Sequence, residues 1–418
     1  TKLKQISYGE ACNTLLHRCP LASQVFTTDM PEKNAAHIKA LDGLRGVAIM
    51  SVMAYHFDIL PFGWVGVQLF LVLSGFLIGG ILWKAKFGNQ SNIAKLKIFW
   101  ARRSLRIFPL YFGWLIFLGI IYLLFHFPTY YTNNIVYLAT YTFNFTRTFD
   151  GWQGNPLFTH LWSLSVEEQF YVLFPLLIFF LPARPIKILI GIVIIVSPLL
   201  HYLLGRYYLS LELVPFAAAD AVYWNTITHL QAFFVGAAIP IFSLHQKIKK
   251  TGLLMMTSFT VAITAGLFSF LNGGSGNYFL HLGYQHNLTT NYEYTWHYTL
   301  LNLSFASLVL VIVSIKSNRN GFLHKCLGAA WLTSIGKVSY GMYVFHWAIL
   351  VYLFERLLPT TDYFLKWLQF VPYVVVVYFF AQLSFRFFES RFLRLKEALF
   401  PLRNSGGMVQ EEDLVNQT

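Results

Sequence analysis

Long apolar runs, separated by short basic or turn-forming stretches, fill the chain from residue 41 to residue 388. Several reach the roughly 20 apolar residues needed to cross a bilayer. The pattern places ten spans, near 41–60, 64–83, 106–126, 161–181, 186–204, 225–243, 252–271, 296–315, 331–354 and 367–388. The expected fold is an all-α membrane protein, a polytopic bundle of about ten transmembrane helices with both termini in the cytoplasm. Its spanning domain covers 38–390. Residues 1–37 are polar and mixed, without the apolar core of a signal peptide, and read as a cytoplasmic extension. Residues 391–418 read as a cytoplasmic tail ending in the disorder-type stretch SGGMVQEEDLVNQT. Ile135–Phe145 is too short and polar for a span and reads as a re-entrant or interfacial piece. The Gly/Asn/Tyr-rich segment 272–295 reads as external. Its aromatic side chains suit a membrane interface, and they would also suit stacking on sugar rings.

Composition sharpens this picture. The chain is 56% hydrophobic and 12% charged over 418 residues, about half the charge of an ordinary soluble domain. A net charge of +13 raises nucleic acid as a partner, but the distribution argues against it. Of the 31 Lys and Arg, all but Arg147, Arg206, Arg356 and Lys366 fall in the tails and in loops on one side of the expected topology. That asymmetry is the positive-inside rule, so the basic charge is chiefly topological. Cys12, Cys19 and Cys326 have spacings of neither a zinc site nor a redox pair. No internal repeat is visible, and no hydrolase-like domain with a nucleophilic serine motif is expected after the last span.

Ionisable side chains inside a bilayer are costly and face a protein interior or a cavity. Arg45 lies near the inner edge of the first span, and His56 lies about 16 Å further along at 1.5 Å per helical residue. In the fourth span, THLWSLSVEEQFYVLF, Glu167 lies seven residues past His160, at a depth close to that expected for His56. His346 in IGKVSYGMYVFHW sits roughly 13 Å from the inner edge. A carboxylate beside an imidazole would raise its basicity, as a general base requires. Inter-helix hydrogen bonding is the plainer alternative for each of these residues. Arg103 and Arg106 are three apart and share a helix face where the chain re-enters the membrane. Positive-inside charge accounts for them, and so does a bidentate grip on phosphate. The Gly-rich run GWVGVQLFLVLSGFLIGG permits close helix packing, or leaves a groove for a linear substrate.

These motifs, taken in order, resemble the acyltransferase-3 family of integral membrane acyltransferases, over nearly everything from residue 38 to about 390. Arg45 and His56 match the family's arginine–ten residues–histidine pattern. GWVGVQLFLVLSGFLI matches its second-span motif, Arg103-Ser-Leu-Arg106 its RxxR motif, HLWSLSVEEQFY its tryptophan–serine–leucine and glutamate signature, and IGKVSYGMYVFHW its late segment. Two departures stand out. Gln68 occupies a position that is acidic in many members, and Glu389 is followed by Ser390 and Arg391 rather than closely by proline.

The resemblance implies transfer of an acyl group, usually acetyl, from cytosolic acyl-CoA to an acceptor hydroxyl, without a metal. It implies a bacterial cytoplasmic membrane protein whose acceptor is a glycan or lipid-linked glycan, such as lipopolysaccharide O-antigen or exopolysaccharide. Arg45, Arg103 and Arg106 are then expected to hold the CoA phosphates. His56 acts as base or carries the acyl group, with Glu167 and Glu168 orienting it. His160, Trp162, Ser163, Ser165 and His346 are expected on the acceptor side. Two rivals remain: a transporter or flippase of a lipid-linked glycan, and a non-catalytic membrane scaffold.

Overall fold

The structure is a computed structural model and describes residues 38–148, 152–211, 215–272, 282–284, 293–314 and 321–400. The extension before residue 38, the acidic terminal stretch, Cys12, Cys19 and most of 272–295 lie outside the described residues. In chain order the principal helices are α1 (Lys39–His56), α2 (Val65–Lys86), α3 (Asn92–Phe125), α4 (Trp162–Phe180), α5 (Ala183–Ser210), α6 (Thr226–Ile241), α7 (Thr251–Leu271), α8 (Glu293–Ser314), α9 (Ala330–Lys337), α10 (Ser339–Ile349), α11 (Tyr363–Ser384) and α12 (Ser390–Leu399). Among the described residues there is no strand. Seven helices are long and apolar enough to cross a membrane: α2, α3, α4 with its preceding turn, α5, α7, α8 and the continuous rod from α11 into α12. Their outward faces carry side chains such as Ile195, Leu271 and Val371, at 78%, 73% and 63% exposure, which suits lipid rather than water.

The remaining three expected spans are less regular. α1 is 18 residues long and carries Asp42 and Arg45. α6 is 16 residues long and apolar. The expected span 331–354 is not one helix: it breaks at Val338 between α9 and α10, then continues as a π-helical segment, Leu350–Glu355. A second π-helical segment, Phe385–Glu389, joins α11 to α12. Single π turns widen a helix locally and are frequent at functional sites. α3 also differs from expectation. Its N-terminus is capped at Ser91, whose hydroxyl accepts from the Ala94 amide at 3.3 Å, fourteen residues before the expected start at 106. At 1.5 Å per residue its 34 residues reach about 51 Å, well beyond a bilayer core of about 30 Å. Arg103 and Arg106 therefore sit within a continuous helix.

The most extensive helix pair is α2 against α6, and the glycines explain it. A Cβ on Gly75 would lie 2.0 Å from the Phe233 carbonyl oxygen, and one on Gly236 would lie 2.1 Å from that of Val72. The backbones approach closely because neither position has a side chain. Between these helices the glycines of the run, Gly75 and Gly79, are packing surface. Gln68 contributes a polar tie: its Nε2 lies 3.1 Å from His229 Nδ1, and His229 Nε2 lies 2.6 Å from the Tyr223 carbonyl. A carbonyl only accepts, so Nε2 carries the proton and Nδ1 accepts from the Gln68 amide. The pair closes without a charge.

Candidate active site

Arg45 and His56 are eleven residues apart on α1, which is three helical turns plus about 20°. They therefore share one face, and each meets a different set of neighbours. At the Arg45 end, Arg103 interacts electrostatically with Arg45, Glu167 and Glu168. Arg106 does so with Arg45, Arg103 and Glu389. All three arginines are half-buried and keep part of their surface open. The Arg103 guanidinium lies over the Tyr171 ring, 5.4 Å from its centroid. Glu167 Oε1 accepts hydrogen bonds from Ser74 Oγ and Tyr171 OH. Tyr171 is one turn beyond Glu167, so a single face of α4 presents both acid and phenol. Glu168 is buried beside them, and its Oε1 has no hydrogen-bond partner. Glu389, in the second π-helical segment, accepts from Ser384 at 2.9 Å.

At the His56 end the neighbours are imidazoles and indoles. The His56 ring lies 4.2 Å from Trp347 and 5.2 Å from His346, centroid to centroid. His346 lies in turn 5.0 Å from His160. His346 Nδ1 is 2.7 Å from the Tyr343 carbonyl and must donate to it, which leaves Nε2 with a lone pair and no hydrogen-bond partner. His160 Nε2 donates to the Val344 carbonyl at 3.1 Å. Tyr343 OH donates to the His160 carbonyl at 2.8 Å and accepts from Ser163 Oγ at 2.5 Å. His160 and His346 are almost fully enclosed, at 1% and 0% exposure, whereas His56 is half-open. Among the described residues no three His, Cys, Asp or Glu side chains converge to hold a metal ion.

The structure thus brings together Arg45, Arg103, Arg106, Glu167 and Glu168 in one cluster, and His56, His160, Ser163 and His346 in another. Glu167 groups with the arginines. His160 is the α4-side residue grouped with the His56 cluster, and Glu167 follows it by seven residues, about 10 Å along the axis toward the arginines. His56 is the last residue of α1, so this imidazole marks the helix terminus. Trp162 and Ser165 belong to neither cluster. Trp162 stacks on Trp224 at 5.4 Å and 14° and abuts Tyr223. Ser165 Oγ donates to the Leu161 carbonyl at 3.5 Å and is fully enclosed. Three further participants were not assigned roles from sequence. Tyr171 carried a signal, an acid–phenol pair at i,i+4. Glu389 carried another, a lone acid in the aromatic run FRFFES. Ser74 had none beyond its place in a Gly-rich span.

Comparison with known proteins decides the family. A sequence model of the acyltransferase domain matches residues 38–386. The chain belongs to the acyltransferase-3 family. Within that family it is 29% identical over 373 residues to the peptidoglycan O-acetyltransferase OatA of Listeria monocytogenes, covering 85% of this chain and 55% of the relative. It is 27% identical over 384 residues to the O-acetyltransferase OatA of Staphylococcus aureus, covering 85% and 57%. This acyltransferase-3 chain spans little more than half the length of the curated relatives it matches. No solved structure matches it significantly.

Proposed function

We propose that this acyltransferase-3 chain is a membrane O-acetyltransferase that moves an acetyl group from cytosolic acetyl-CoA to a carbohydrate hydroxyl on the other side of the bilayer. The observation that carries the reading is the shared face of α1, with three arginines at one end and an open imidazole at the other. Arg45, Arg103 and Arg106 take the CoA phosphates, where planar guanidinium groups suit phosphate oxygens. Positive-inside charge sets that end in the cytoplasm. The pantetheine arm runs along α1, over the about 16 Å that eleven helical residues span, and presents its thioester beside His56.

The chemistry needs one proton shuttle. His56 accepts the proton of the acceptor hydroxyl as its oxygen attacks the thioester carbon. The tetrahedral intermediate collapses with cleavage of the carbon–sulfur bond, and the proton passes from His56 to the departing CoA thiolate. The enclosed His346 and His160 hold the His56 surroundings in register, and Trp347 packs against the ring. The acceptor class is a surface glycan, as the names of the relatives suggest: peptidoglycan for one of them, with O-antigen or exopolysaccharide of the same hydroxyl chemistry. The test is incubation of membranes containing the protein with isotope-labelled acetyl-CoA and surface glycan. Alkali-labile label should appear in the glycan and free CoA in solution. Binding or export of glycan without ester formation would refute the enzyme and favour a transporter.

A further inference from the structure

Two buried polar groups lie between the arginine and histidine clusters, and the transfer chemistry uses neither. Glu168 follows His160 by eight residues and precedes Tyr171, the ring under Arg103, by three. At about 1.5 Å per residue, α4 therefore carries it between the two levels. Tyr141 stands in the turn after the short helix Tyr131–Ala139. Gln169, next to Glu168, ties that turn to α4: its Nε2 donates to the Tyr141 carbonyl at 2.7 Å and to Asn144 Oδ1 at 2.8 Å. Tyr111 of α3 and Tyr340 of α10 complete the layer, and both interact electrostatically with Glu168 and Tyr141. The Tyr111 and Tyr141 rings stack at 4.4 Å.

The three phenols are spent unequally. Tyr111 OH donates to the Leu138 carbonyl and Tyr340 OH to the Ile107 carbonyl, each at 2.9 Å. Tyr141 OH and Glu168 Oε1 have no hydrogen-bond partner among the described residues, although the two residues are only 9% and 8% exposed. Buried polar atoms are nearly always paired, so two orphans in one layer point to a partner that comes from outside the chain. Tyr141 also holds a left-handed backbone at φ 53°, uncommon for a bulky residue. One orphan is a phenol, which can donate; the other is a carboxylate oxygen, which accepts. A secondary amide is the complement of both, with an N–H for Glu168 and a carbonyl for Tyr141. An alkyl chain satisfies neither. The pantetheine arm of CoA carries secondary amides between its phosphates and its sulfur. That stretch crosses this level when the phosphates sit on the arginines and the thioester lies beside His56.

We infer that Glu168 and Tyr141 seat an amide of the pantetheine arm and so make the donor site select CoA by its arm as well as by its phosphates. The inference rests on the acetyl-CoA donor reading and deepens it. The test uses the full chain in lipid nanodiscs, with calorimetric binding of CoA and of its nucleotide half, 3′-phospho-ADP, which keeps the phosphates and lacks the arm. CoA should bind roughly tenfold or more tightly than 3′-phospho-ADP. Tyr141→Phe removes a hydroxyl that holds nothing in the fold, and it should weaken CoA about 3- to 10-fold, the range of one neutral hydrogen bond. Glu168→Leu should weaken CoA by roughly tenfold or more, because a charged acceptor is lost. Neither substitution should weaken 3′-phospho-ADP. Equal affinity for the two ligands, CoA binding indifferent to Tyr141→Phe, or equal weakening of both ligands by the substitutions overturns the seat and leaves the phosphate site standing. Failure of both ligands to bind the unaltered protein overturns the donor reading itself, and the seat with it.

Discussion

Arg103→Ala isolates the donor end of the site. The guanidinium makes two sets of interactions, one with the Tyr171 ring at 5.4 Å and one electrostatic with Glu167 and Glu168. Its loss should not unfold the protein, because Glu167 keeps its hydrogen bonds from Ser74 and Tyr171, and a cation–π contact at a partly open site is worth about 0.5–1 kcal/mol. The effect on ligand is larger. A hydrogen bond to a charged group contributes about 1.5–3 kcal/mol, and tenfold in affinity is about 1.4 kcal/mol, so CoA should bind roughly 10- to 100-fold more weakly. Arg103→Lys keeps the charge and loses the planar fork, and it should fall between the two. The assay is CoA titration in nanodiscs, followed by transfer kinetics at saturating donor, where kcat should largely recover. The weakening should shrink as salt rises, since the arginine is partly open to screening. A change confined to the acceptor KM, with CoA affinity intact, would refute the assignment of this arginine to the donor.

The other end of α1 makes a complementary set of predictions. His56→Ala should lower kcat by about 10²- to 10⁴-fold, the usual contribution of a positioned base, with membrane insertion and CoA binding unchanged; retained turnover would remove His56 as the base. His346→Gln removes the ring 5.2 Å from His56. It should lower kcat by a smaller factor without weakening CoA, whereas unchanged kcat would reduce His346 to a packing role. Gly236→Val puts a side chain where a Cβ already lies 2.1 Å from the Val72 carbonyl. Overpacking of that kind costs about 1–3 kcal/mol, so thermal unfolding in detergent should begin at a distinctly lower temperature, and an unchanged transition would show that α2 and α6 are not locked there.

How much of this was legible in the sequence depends on the kind of signal. An apolar run such as 252–271 states its helix almost to the residue, 251–271 in the structure, whereas the run read as 186–204 gives the core of a longer helix, 183–210, whose ends carry Arg184 and Arg206. Helix irregularities do not show in that way. The π-helical segments at 350–355 and 385–389 lie in largely apolar or aromatic runs, where periodicity gives no cue to one extra residue per turn, and the break at Val338 falls in the mixed stretch TSIGKVSYG, inside what reads as one span. Arg45 and His56 were legible because their spacing is local to one helix. The histidine cluster was not, because His160 and His346 meet only through tertiary packing across 186 residues of chain. Depth arithmetic put Glu167 at about the depth of His56, and equal depth does not name a neighbour. The structure gives Glu167 to Ser74, Tyr171 and the arginine cluster.

The central claim is that the arginine cluster and the histidine cluster serve one ligand stretched along α1. A structure of the protein with a non-hydrolysable thioether analogue of acetyl-CoA tests it most directly. The account predicts the phosphates within hydrogen-bonding distance of Arg45, Arg103 and Arg106, and the acetyl-bearing sulfur beside the His56 ring. Phosphates bound away from these arginines, or an acetyl end sealed off from His56, would contradict it.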